Sequence, residues 1–398
     1  MSQLHQLASH FVTAGTIATV ELLGNGNINS TFLVKVTASC SSAKPSSAKP
    51  SSAKPSPAEP SPAKRFVMQQ INADVFPQPE LVIQNMTVLS QHLQNHQPQH
   101  PTHQPSRRWE MPHIIPTRQG DPFFRDEAGG YWRAITFIEN ARVLETIQTP
   151  EQAKEVGYGL AMFHRLISDL PTEQLADTLE GFHITPQYLA AYEQVLANWD
   201  EAAWKQANPV PEYRYEEVQR CIQFIADRQA WVSVLEDAKA AGQLKLRPIH
   251  GDPKINNIML GPNDQAVSLI DLDTVKPGLI HYDIGDCLRS GCNQLGEDTK
   301  IWESVEFNLQ IAEAMLNGYL SLASDFFTEA DYQYLYDAIR LISFELGLRF
   351  FTDYLAGDRY FKITHRMHNL DRALVQFQLT ASIEAQETQI KNIIESLK

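Results

Sequence analysis

Cysteines are few in this chain, and its basic residues are outnumbered by its acidic ones. The 398 residues include only four cysteines, none of them spaced as a pair of zinc ligands, which favours a thiol-reducing, cytoplasmic location. Lysine and arginine total 33 against 47 aspartates and glutamates, so the net charge is −14. A chain this acidic is poorly suited to nucleic acid or to an anionic membrane surface, and we expect neither as a partner.

Long apolar runs are also missing. No segment reaches the roughly 18 apolar residues that a membrane-spanning helix needs, and no basic stretch followed by an apolar one marks a secretory signal. Apolar residues nevertheless make up 43% of the chain, which is ordinary for a globular protein with room for two or more domains.

Two segments have compositions that cannot build a core. Residues 41–64 repeat pentapeptides of Ser, Ala, Pro and Lys, so we expect a disordered insertion over residues 38–64. We interpret it as a tolerated expansion at a hairpin tip, with a basic tether to a partner as the alternative. Residues 95–108 are rich in Gln, His and Pro, which predicts a surface loop rather than a metal site.

The most informative stretch spans residues 248–273 and has the sequence PIHGDPKINNIMLGPNDQAVSLIDLD. Two apolar runs flank a turn of Gly, Pro, Asn and Asp, which predicts a β-hairpin. A hairpin brings its outer ends side by side, so Asn257 and Asp271 are expected to lie together, with Asp252 close by. His250, just before them, is expected to fix the backbone of this loop.

These oxygen-bearing side chains suit phosphoryl transfer. Mg²⁺ prefers oxygen ligands and keeps water and phosphate oxygens around it, so Asn257 and Asp271 are predicted to bind Mg²⁺. The D-x-x-x-x-N spacing matches kinase catalytic loops, so Asp252 is predicted to orient and deprotonate a hydroxyl, with Lys254 contacting the transferred phosphate. Asp273 is predicted on the same strand as Asp271 and facing the same side, as a second metal or substrate contact.

The two halves of the chain differ in periodicity. Before residue 139, short β-branched and apolar runs predict an antiparallel sheet of five strands, with a glycine loop at residues 24–27 whose backbone can approach a phosphate. No G-K-[ST] follows, so this is not a Walker loop. From Thr149 onward apolar residues recur at helical spacing, and one continuous helix is predicted over Glu212–Lys239.

The chain resembles the aminoglycoside phosphotransferase and choline kinase superfamily, and within it the N-acetylhexosamine 1-kinases most of all. The similar segments are HGDPKINN, GNGNINSTFLV, FVMQQINADVF, IDLDTVKPGLIHYDIGDCLR, FELGLRFFTDYLAGDRYF and HNLDRALVQFQL. The resemblance implies an α+β, protein-kinase-like fold of two lobes: a nucleotide-binding N-lobe with a five-stranded antiparallel sheet over residues 1–139 and a mostly helical C-lobe over 140–398. It implies a kinase that uses ATP and Mg²⁺ to phosphorylate a sugar hydroxyl, first of all O1 of an N-acetylhexosamine.

The resemblance also implies contacts outside the hairpin. An adenine-binding hinge is expected at residues 137–140, and Asn27 stands where the family's glycine loop carries a histidine that helps to bind substrate. The predicted nucleotide contacts are Gly24, Asn25, Gly26, Gln69, Phe137 and Glu139. The predicted acceptor contacts are Asn27, Asp273, Arg349 and Tyr360.

One feature of kinases is missing from the sequence. The third strand carries M-Q-Q at residues 68–70 where kinases have a lysine, and the helix that follows offers Gln84 instead of a glutamate. An amide pair of Gln69 or Gln70 with Gln84 is expected to replace the ion pair, and Lys64 and Arg65, just outside this strand, are the alternative.

Polar residues also recur in the C-terminal half. Glu345, Arg349 and Asp353 are spaced by four on an otherwise apolar helix, which predicts a polar stripe turned to a cleft. Asp283 and Asp286 are expected to lie at the start of a helix and to brace the loop before the hairpin from behind.

Alternative acceptors stay open at this point: another hexose, choline, homoserine or an aminoglycoside. The basic residues near Arg349 disfavour a polycation. A kinase-like protein without catalysis, which binds a partner through the Ser/Ala/Pro/Lys repeat, is a further hypothesis. The presence of Asp252, Asn257 and Asp271 together argues against it.

Overall fold

A computed structural model describes residues 3–24, 28–37, 64–96, 107–207, 209 and 211–398. The chain divides into two units, one of Met1–Ser90 with Pro112–Glu139 and the other of Gln91–Met111 with Asn140–Lys398. The predicted insertion over residues 38–64 lies outside the described residues except for its last one, and so does most of the predicted loop over 95–108. Among the residues described, every helix is too short or too polar to cross a lipid bilayer.

The first unit contains a sheet in which every pair of strands is antiparallel. The strands are β1 (Thr16–Leu22), β2 (Ser30–Thr37), β3 (Lys64–Ile71), β4 (Ile114–Ile115), β5 (Phe124–Arg125) and β6 (Tyr131–Thr136). Five of them lie in the order β1, β2, β3, β6, β4, and the two-residue β5 also pairs with β6. The predicted antiparallel sheet is therefore present, but among the described residues it has six strands instead of the predicted five, because the short β5 also pairs with β6.

One face of this sheet builds the core of the first unit. The register sets Val34 of β2 opposite Phe66 of β3, and Met68 opposite Ala134 of β6. These four side chains are buried together with residues from helix α1 (Gln3–Ser9). Side chains alternate between the two faces of a strand, so Phe66 and Met68, two positions apart on β3, point to the same side of the sheet.

The second unit is mostly helical. Helix α2 (Pro79–His96) starts in the first unit and ends in the second. The helices that follow are α3 (Pro150–Leu166), α4 (Thr185–Ala197), α5 (Glu201–Ala207), α6 (Glu212–Ala226), α7 (Val234–Ala240), α8 (Ile280–Cys292), α9 (Leu309–Ala323), α10 (Glu329–Gln333), α11 (Leu335–Leu355), α12 (His368–Ala385) and α13 (Glu387–Leu397). This unit also has four short strands: β7 (Arg247–Ile249), β8 (Ile258–Leu260), β9 (Ala266–Leu269) and β10 (Lys276–Gly278). Strand β7 pairs with β10 and β8 pairs with β9, both in antiparallel fashion.

Helix α11 lies at the centre of this unit. It packs against α12, α8 and α4, and residues on all its sides are buried, among them Phe344, Leu348 and Phe351. A helix that is apolar all round has to be surrounded by other elements.

The predicted continuous helix over Glu212–Lys239 is wrong. Helix α6 ends at Ala226 and α7 begins only at Val234, with a short 3₁₀ turn at Gln229–Trp231 between them. The ring of Trp231 packs edge-on against Phe344, with ring centroids 5.1 Å apart. Packing of this partly buried ring against α11 outweighs the helical propensity of the segment, because propensities differ by only a few tenths of a kcal/mol per residue.

Candidate active site

The predicted hairpin is present, and its outer ends meet. Strands β8 and β9 pair with Ile258 opposite Leu269, and the backbone N–H of Ile270 donates to the carbonyl oxygen of Asn257 at 2.9 Å. This bond closes the ladder at the end where Asp271 follows. The sequence prediction that Asn257 and Asp271 lie at adjoining positions is therefore confirmed.

The strand stops before Asp273, so the predicted placement of that residue is wrong. Asp271 has a left-handed backbone conformation with φ of 65°, and it caps a 3₁₀ turn over Leu272–Thr274. The chain thus turns away at Asp271, whose side chain is exposed, whereas Asp273 is only 3% exposed. Non-glycine residues adopt this conformation rarely, aspartate more often than most, which is why strand periodicity did not reveal the turn.

Three of the predicted residues converge within the loop of residues 250–257, called the HGD loop below. The ammonium of Lys254 donates to Asp252 Oδ2 at 2.8 Å, and Asn257 Nδ2 donates to the backbone oxygen of Asp252 at 2.7 Å. The carboxylate of Asp252, joined by those of Asp271 and Asp286, raises the pKa of Lys254 above its usual value. Lys254 is therefore a cation throughout the neutral pH range, beside the carboxylate that is predicted to accept the proton.

The donor set at the hairpin fits Mg²⁺. Because the amide nitrogen of Asn257 is bound to a backbone oxygen, the amide oxygen is left on the other branch of the side chain for another partner. Asp271 contributes a carboxylate on an exposed side chain. In the part of the chain that the structure describes, no group of three or more His, Cys, Asp or Glu side chains could hold a metal. Mg²⁺ needs only one or two protein ligands when water and phosphate complete its shell.

Asp283, in the first turn of α8, holds the HGD loop from behind, as predicted. Its two carboxylate oxygens accept the backbone N–H groups of His250 and Gly251 at 2.6 and 2.8 Å. His164 is also bound to this carboxylate, at 2.8 Å. Burial opposes ionisation of Asp283, but the contacts with His164 and the loop keep its pKa below the usual value. Two backbone N–H groups of the loop have this buried carboxylate as their acceptor, and losing it would leave both donors unsatisfied, so the carboxylate fixes the loop.

His250 ties the HGD loop to the hairpin. Its Nδ1 accepts the backbone N–H of Asp252 at 3.3 Å, so its Nε2 carries the proton and donates to the carbonyl oxygen of Ile270 at 2.9 Å. Burial lowers the pKa of this imidazole, which is therefore neutral. The contacts agree with the predicted role in fixing the loop backbone.

The predicted polar stripe of α11 does not face a cleft as a whole. Glu345 is buried and accepts a hydrogen bond from His183 Nδ1 at 2.9 Å. Asp353 is also buried and accepts the backbone N–H groups of residues 359–361 at 2.9 to 3.0 Å. The four-residue spacing correctly placed these acids on one face, but that face packs against other elements of the second unit.

Arg349, the third member of the stripe, lies in an aromatic setting near Asp252. Burial lowers its pKa, but nearby oxygens that include those of Glu345, Tyr360 and Asp252 outweigh this and raise it. Tyr360 is 56% exposed and belongs to the loop that Asp353 holds. The guanidinium lies over three rings, at 5.1 Å from Phe182, 5.0 Å from Tyr188 and 5.5 Å from Phe361. The aromatic residues were missed in the sequence because none carries a periodic or motif signal.

Of the two forms of the predicted amide pair in the first unit, the one with Gln69 is wrong. Gln69 accepts two hydrogen bonds from the Arg133 guanidinium, at 3.0 and 2.7 Å, because the register sets these residues opposite each other on β3 and β6. Gln84 is instead exposed on α2. Cross-strand pairs of this kind follow from register, which a strand's own sequence does not reveal.

Some of the other predicted contacts in this unit lie among the described residues and others do not. Arg65 pairs with Glu139, with Nε at 2.9 Å from Oε1, and its guanidinium lies 4.6 Å from the centre of the Phe137 ring. Gly24 has a left-handed φ of 67°, as a tight turn requires. Asn25, Gly26 and Asn27 lie outside the described residues.

Comparisons with known proteins agree with this architecture. A family model described as a phosphotransferase enzyme family (APH) matches residues 19–320. Among solved structures, the chain is similar to a microcompartment-associated aminopropanol kinase, with a TM-score of 0.56, 15% identity and 98% of each chain covered. It is similar to an aminoglycoside phosphotransferase from Alicyclobacillus acidocaldarius, with a TM-score of 0.54, 15% identity, and 97% of this chain and 96% of that one covered.

A third similar structure is the GDP complex of aminoglycoside 2'-phosphotransferase-IIIa. Its TM-score is 0.52 at 12% identity, with 97% of this chain and 100% of that one covered. At such identities the likeness concerns the fold. The predicted α+β, kinase-like fold, with an antiparallel sheet in one unit and helices in the other, is confirmed.

Proposed function

The chain belongs to the phosphotransferase enzyme family, and we propose that it is a kinase that transfers the γ-phosphoryl group of ATP directly to a sugar hydroxyl. The single observation that carries the proposal is the grouping of Asp252, Lys254 and Asn257 in one braced loop beside Asp271. Little covalent chemistry is required of the protein in phosphoryl transfer, so positioned charges are the catalytic apparatus.

Asp252 orients the acceptor hydroxyl and accepts its proton. Its carboxylate is bound to Lys254, so transfer requires Lys254 to exchange this partner for the γ-phosphate. The exchange is balanced in charge, because the ammonium leaves one anion for another. Asp283 and His250 keep the backbone of the loop in place while the two side chains change partners.

Asn257 and Asp271 are the proposed ligands of Mg²⁺. The metal supplies charge neutralisation on the phosphate oxygens. On the nucleotide side we propose contacts with Gly24, Gln69, Phe137 and Glu139, together with Asn25 and Gly26. Gln69 is held by Arg133, and Arg65 holds Glu139, so these groups have defined orientations within the first unit.

The proposed acceptor is an N-acetylhexosamine phosphorylated at O1. Arg349 and Tyr360, with Asn27, are the proposed contacts, and the rings around Arg349 offer the flat apolar surface that suits a sugar. A guanidinium close enough to Asp252 for their charges to interact repels an ammonium at that position, which argues against choline or an amino alcohol. The burial of Asp273 argues for a structural role there rather than contact with the acceptor.

The proposal is tested by incubating the protein with Mg²⁺, ATP and a panel of N-acetylhexosamines, hexoses, choline, aminopropanol and aminoglycosides. We expect ADP release that depends on an N-acetylhexosamine, with the phosphate found on O1 by ³¹P NMR. Asp252→Asn is expected to lower kcat about 1,000-fold, the scale of a lost general base. Glu395→Gln, an exposed change on α13, serves as the matched control and retains activity.

Each part of the proposal has its own contrary outcome. Turnover with an amine-bearing acceptor but with no sugar would overturn the acceptor class. Phosphate on O6 would overturn the assignment to O1. ADP release that no acceptor stimulates, and that Asp252→Asn leaves unchanged, would overturn the kinase activity itself.

A further inference from the structure

His183 occupies a constrained position in the second unit, in the segment that precedes α4. Its backbone is left-handed, with φ of 67°, which side-chain-bearing residues rarely adopt. Its ring is buried between those of Phe182 and Tyr282, with centroids 4.0 and 5.4 Å away. A buried polar ring in a rare backbone conformation is retained only where its surroundings hold it firmly.

Both nitrogens of this ring face hydrogen-bond acceptors. Nδ1 lies 2.9 Å from Glu345 Oε1, and Nε2 lies 2.7 Å from the backbone oxygen of Gly251. A neutral imidazole carries one N–H and can satisfy only one of these contacts, whereas the imidazolium satisfies both. The other oxygen of Glu345 accepts the Thr185 hydroxyl at 2.7 Å, so this carboxylate is the anionic partner.

The charges around His183 favour the cation. Burial opposes protonation, but the Glu345 carboxylate outweighs it and raises the pKa of His183, with Asp286 of α8 acting in the same direction. Burial likewise opposes ionisation of Glu345, yet His183, helped by Arg349 one turn further along α11, holds its pKa below the usual value. From the α8 side the ring also faces Tyr282, whose raised pKa keeps the phenol neutral.

The two partners of His183 belong to different parts of the proposed site. Gly251 directly precedes Asp252, and its φ of 87° requires glycine. Its N–H is held by Asp283 at 2.8 Å and its carbonyl by His183, so the peptide groups on both sides of Gly251 are fixed. Glu345 lies one turn before Arg349 on α11. His183 thus joins the HGD loop to the helix that carries the proposed acceptor contact.

We propose that His183 is a positioning residue for phosphoryl transfer, which as an imidazolium links Gly251 to Glu345 and so holds Asp252 in register with Arg349. The inference rests on the proposed kinase activity and deepens it. His183 touches neither the phosphate nor the acceptor in this scheme. Its effect is on kcat, because displacement of a reacting group by about 1 Å can cost on the order of 100-fold.

The sign of the pH dependence follows from the ion pair. A group whose pKa is raised on folding stabilises the fold below its unfolded pKa, about 6.5 for histidine, and that contribution is lost as pH rises through the folded pKa. Glu345→Leu removes the charge that raises the pKa of His183 and leaves the burial that lowers it, so the imidazolium is disfavoured in this variant. Leucine neither accepts nor donates a hydrogen bond, so the link from His183 to α11 is lost, whereas a glutamine amide could donate to the neutral ring and restore it.

The test compares pH profiles of kcat in the wild type, Glu345→Leu, His183→Asn and the double variant. We expect the wild type to be flat between about pH 6 and 8, the range around an unperturbed histidine, and Glu345→Leu to have a lower kcat across that range. His183→Asn and the double variant should be lower by about 10- to 100-fold at every pH in that range, with the KM for ATP unchanged. Asp169→Asn removes the carboxylate from His92, another buried ring in the second unit, and should keep the wild-type profile.

A second measurement does not depend on activity. Ring ¹⁵N NMR of histidine-labelled protein should show both His183 nitrogens protonated at pH 7, the signal being assigned by its loss in His183→Asn. A singly protonated ring, or a Glu345→Leu profile that coincides with that of the wild type, would overturn the inference. A wild type without acceptor-dependent turnover would overturn the proposed function instead, and the ring spectrum separates that failure from failure of the His183 assignment.

Discussion

The HGD loop and helix α11 both carry polar residues at regular spacing, yet the structure uses them differently. In the loop, Asp252, Lys254 and Asn257 converge, and the side chains of Asp252 and Lys254 remain partly accessible. On α11, Glu345 and Asp353 are buried and serve to hold other parts of the unit. The difference teaches that spacing predicts proximity in a tight turn, whereas on a buried helix it predicts a shared face and leaves open what that face contacts.

The largest effect is expected from Lys254→Ala in the HGD loop. The third strand has no lysine at residues 68–70, and Gln69 there is bound to Arg133, so Lys254 is the proposed cation for the γ-phosphate. We expect kcat to fall by about 100- to 1,000-fold, on the scale of one lost electrostatic contact to the transition state. Steady-state ADP release measures it, with Lys205→Ala on α5 as the control. Near-normal turnover in Lys254→Ala would show that another cation does this work.

A smaller effect is expected from Arg349→Lys on α11. Lysine keeps the charge but loses the planar fork and the stacking on the rings of Phe182 and Tyr188. The KM for the acceptor should rise about 10-fold, equivalent to about 1.4 kcal/mol, with the KM for ATP unchanged. Arg340→Lys is the matched control on the same helix, since that guanidinium lies 4.2 Å from the ring centre of Trp231. Equal acceptor KM values for both variants would remove Arg349 from the acceptor site.

The smallest effect on turnover is expected from Asp353→Asn. The amide presents one oxygen where the carboxylate presents two, so the backbone donors of residues 359–361 are no longer all satisfied. We expect a loss of unfolding free energy of about 1–3 kcal/mol, the cost of one unmet buried hydrogen bond. Because this loop carries Tyr360, the acceptor KM should rise by a few-fold while kcat is retained.

Thermal unfolding and acceptor titration measure these two effects of Asp353→Asn. A large fall in kcat at unchanged acceptor KM would instead place Asp353 in the chemistry. That outcome would also contradict the contrast between the HGD loop and α11, because a buried acid of α11 would then take part in the reaction.

Local spacing was a sound guide to the hairpin and to the residues of the HGD loop. Turn chemistry in Gly261–Asp264 and two short apolar runs are sufficient to pair β8 with β9, and the pairing brings Asn257 next to the residue before Asp271. The brace from Asp283 was also predictable, since acids near a helix start commonly hold backbone donors. In these cases the partners are local or lie in a recognisable motif.

The wrong predictions share another cause. The pairing of Gln69 with Arg133 depends on the register between β3 and β6, and the break between α6 and α7 depends on packing of Trp231 against α11. The turn at Asp271 depends on a left-handed residue that no strand pattern signals. Each of these was decided by a partner distant in sequence or by a single backbone angle.

By itself the sequence determined the division into a strand-rich part and a helical part, the hairpin and the set of side chains that can serve phosphoryl transfer, because these follow from periodicity, turn chemistry and side-chain type. Only the tertiary structure decided which acids are accessible and which are buried, and that His183 faces two acceptors, Glu345 and the Gly251 carbonyl. The physical reason is that burial and protonation state depend on every neighbour at once, including residues more than 160 positions away in the chain.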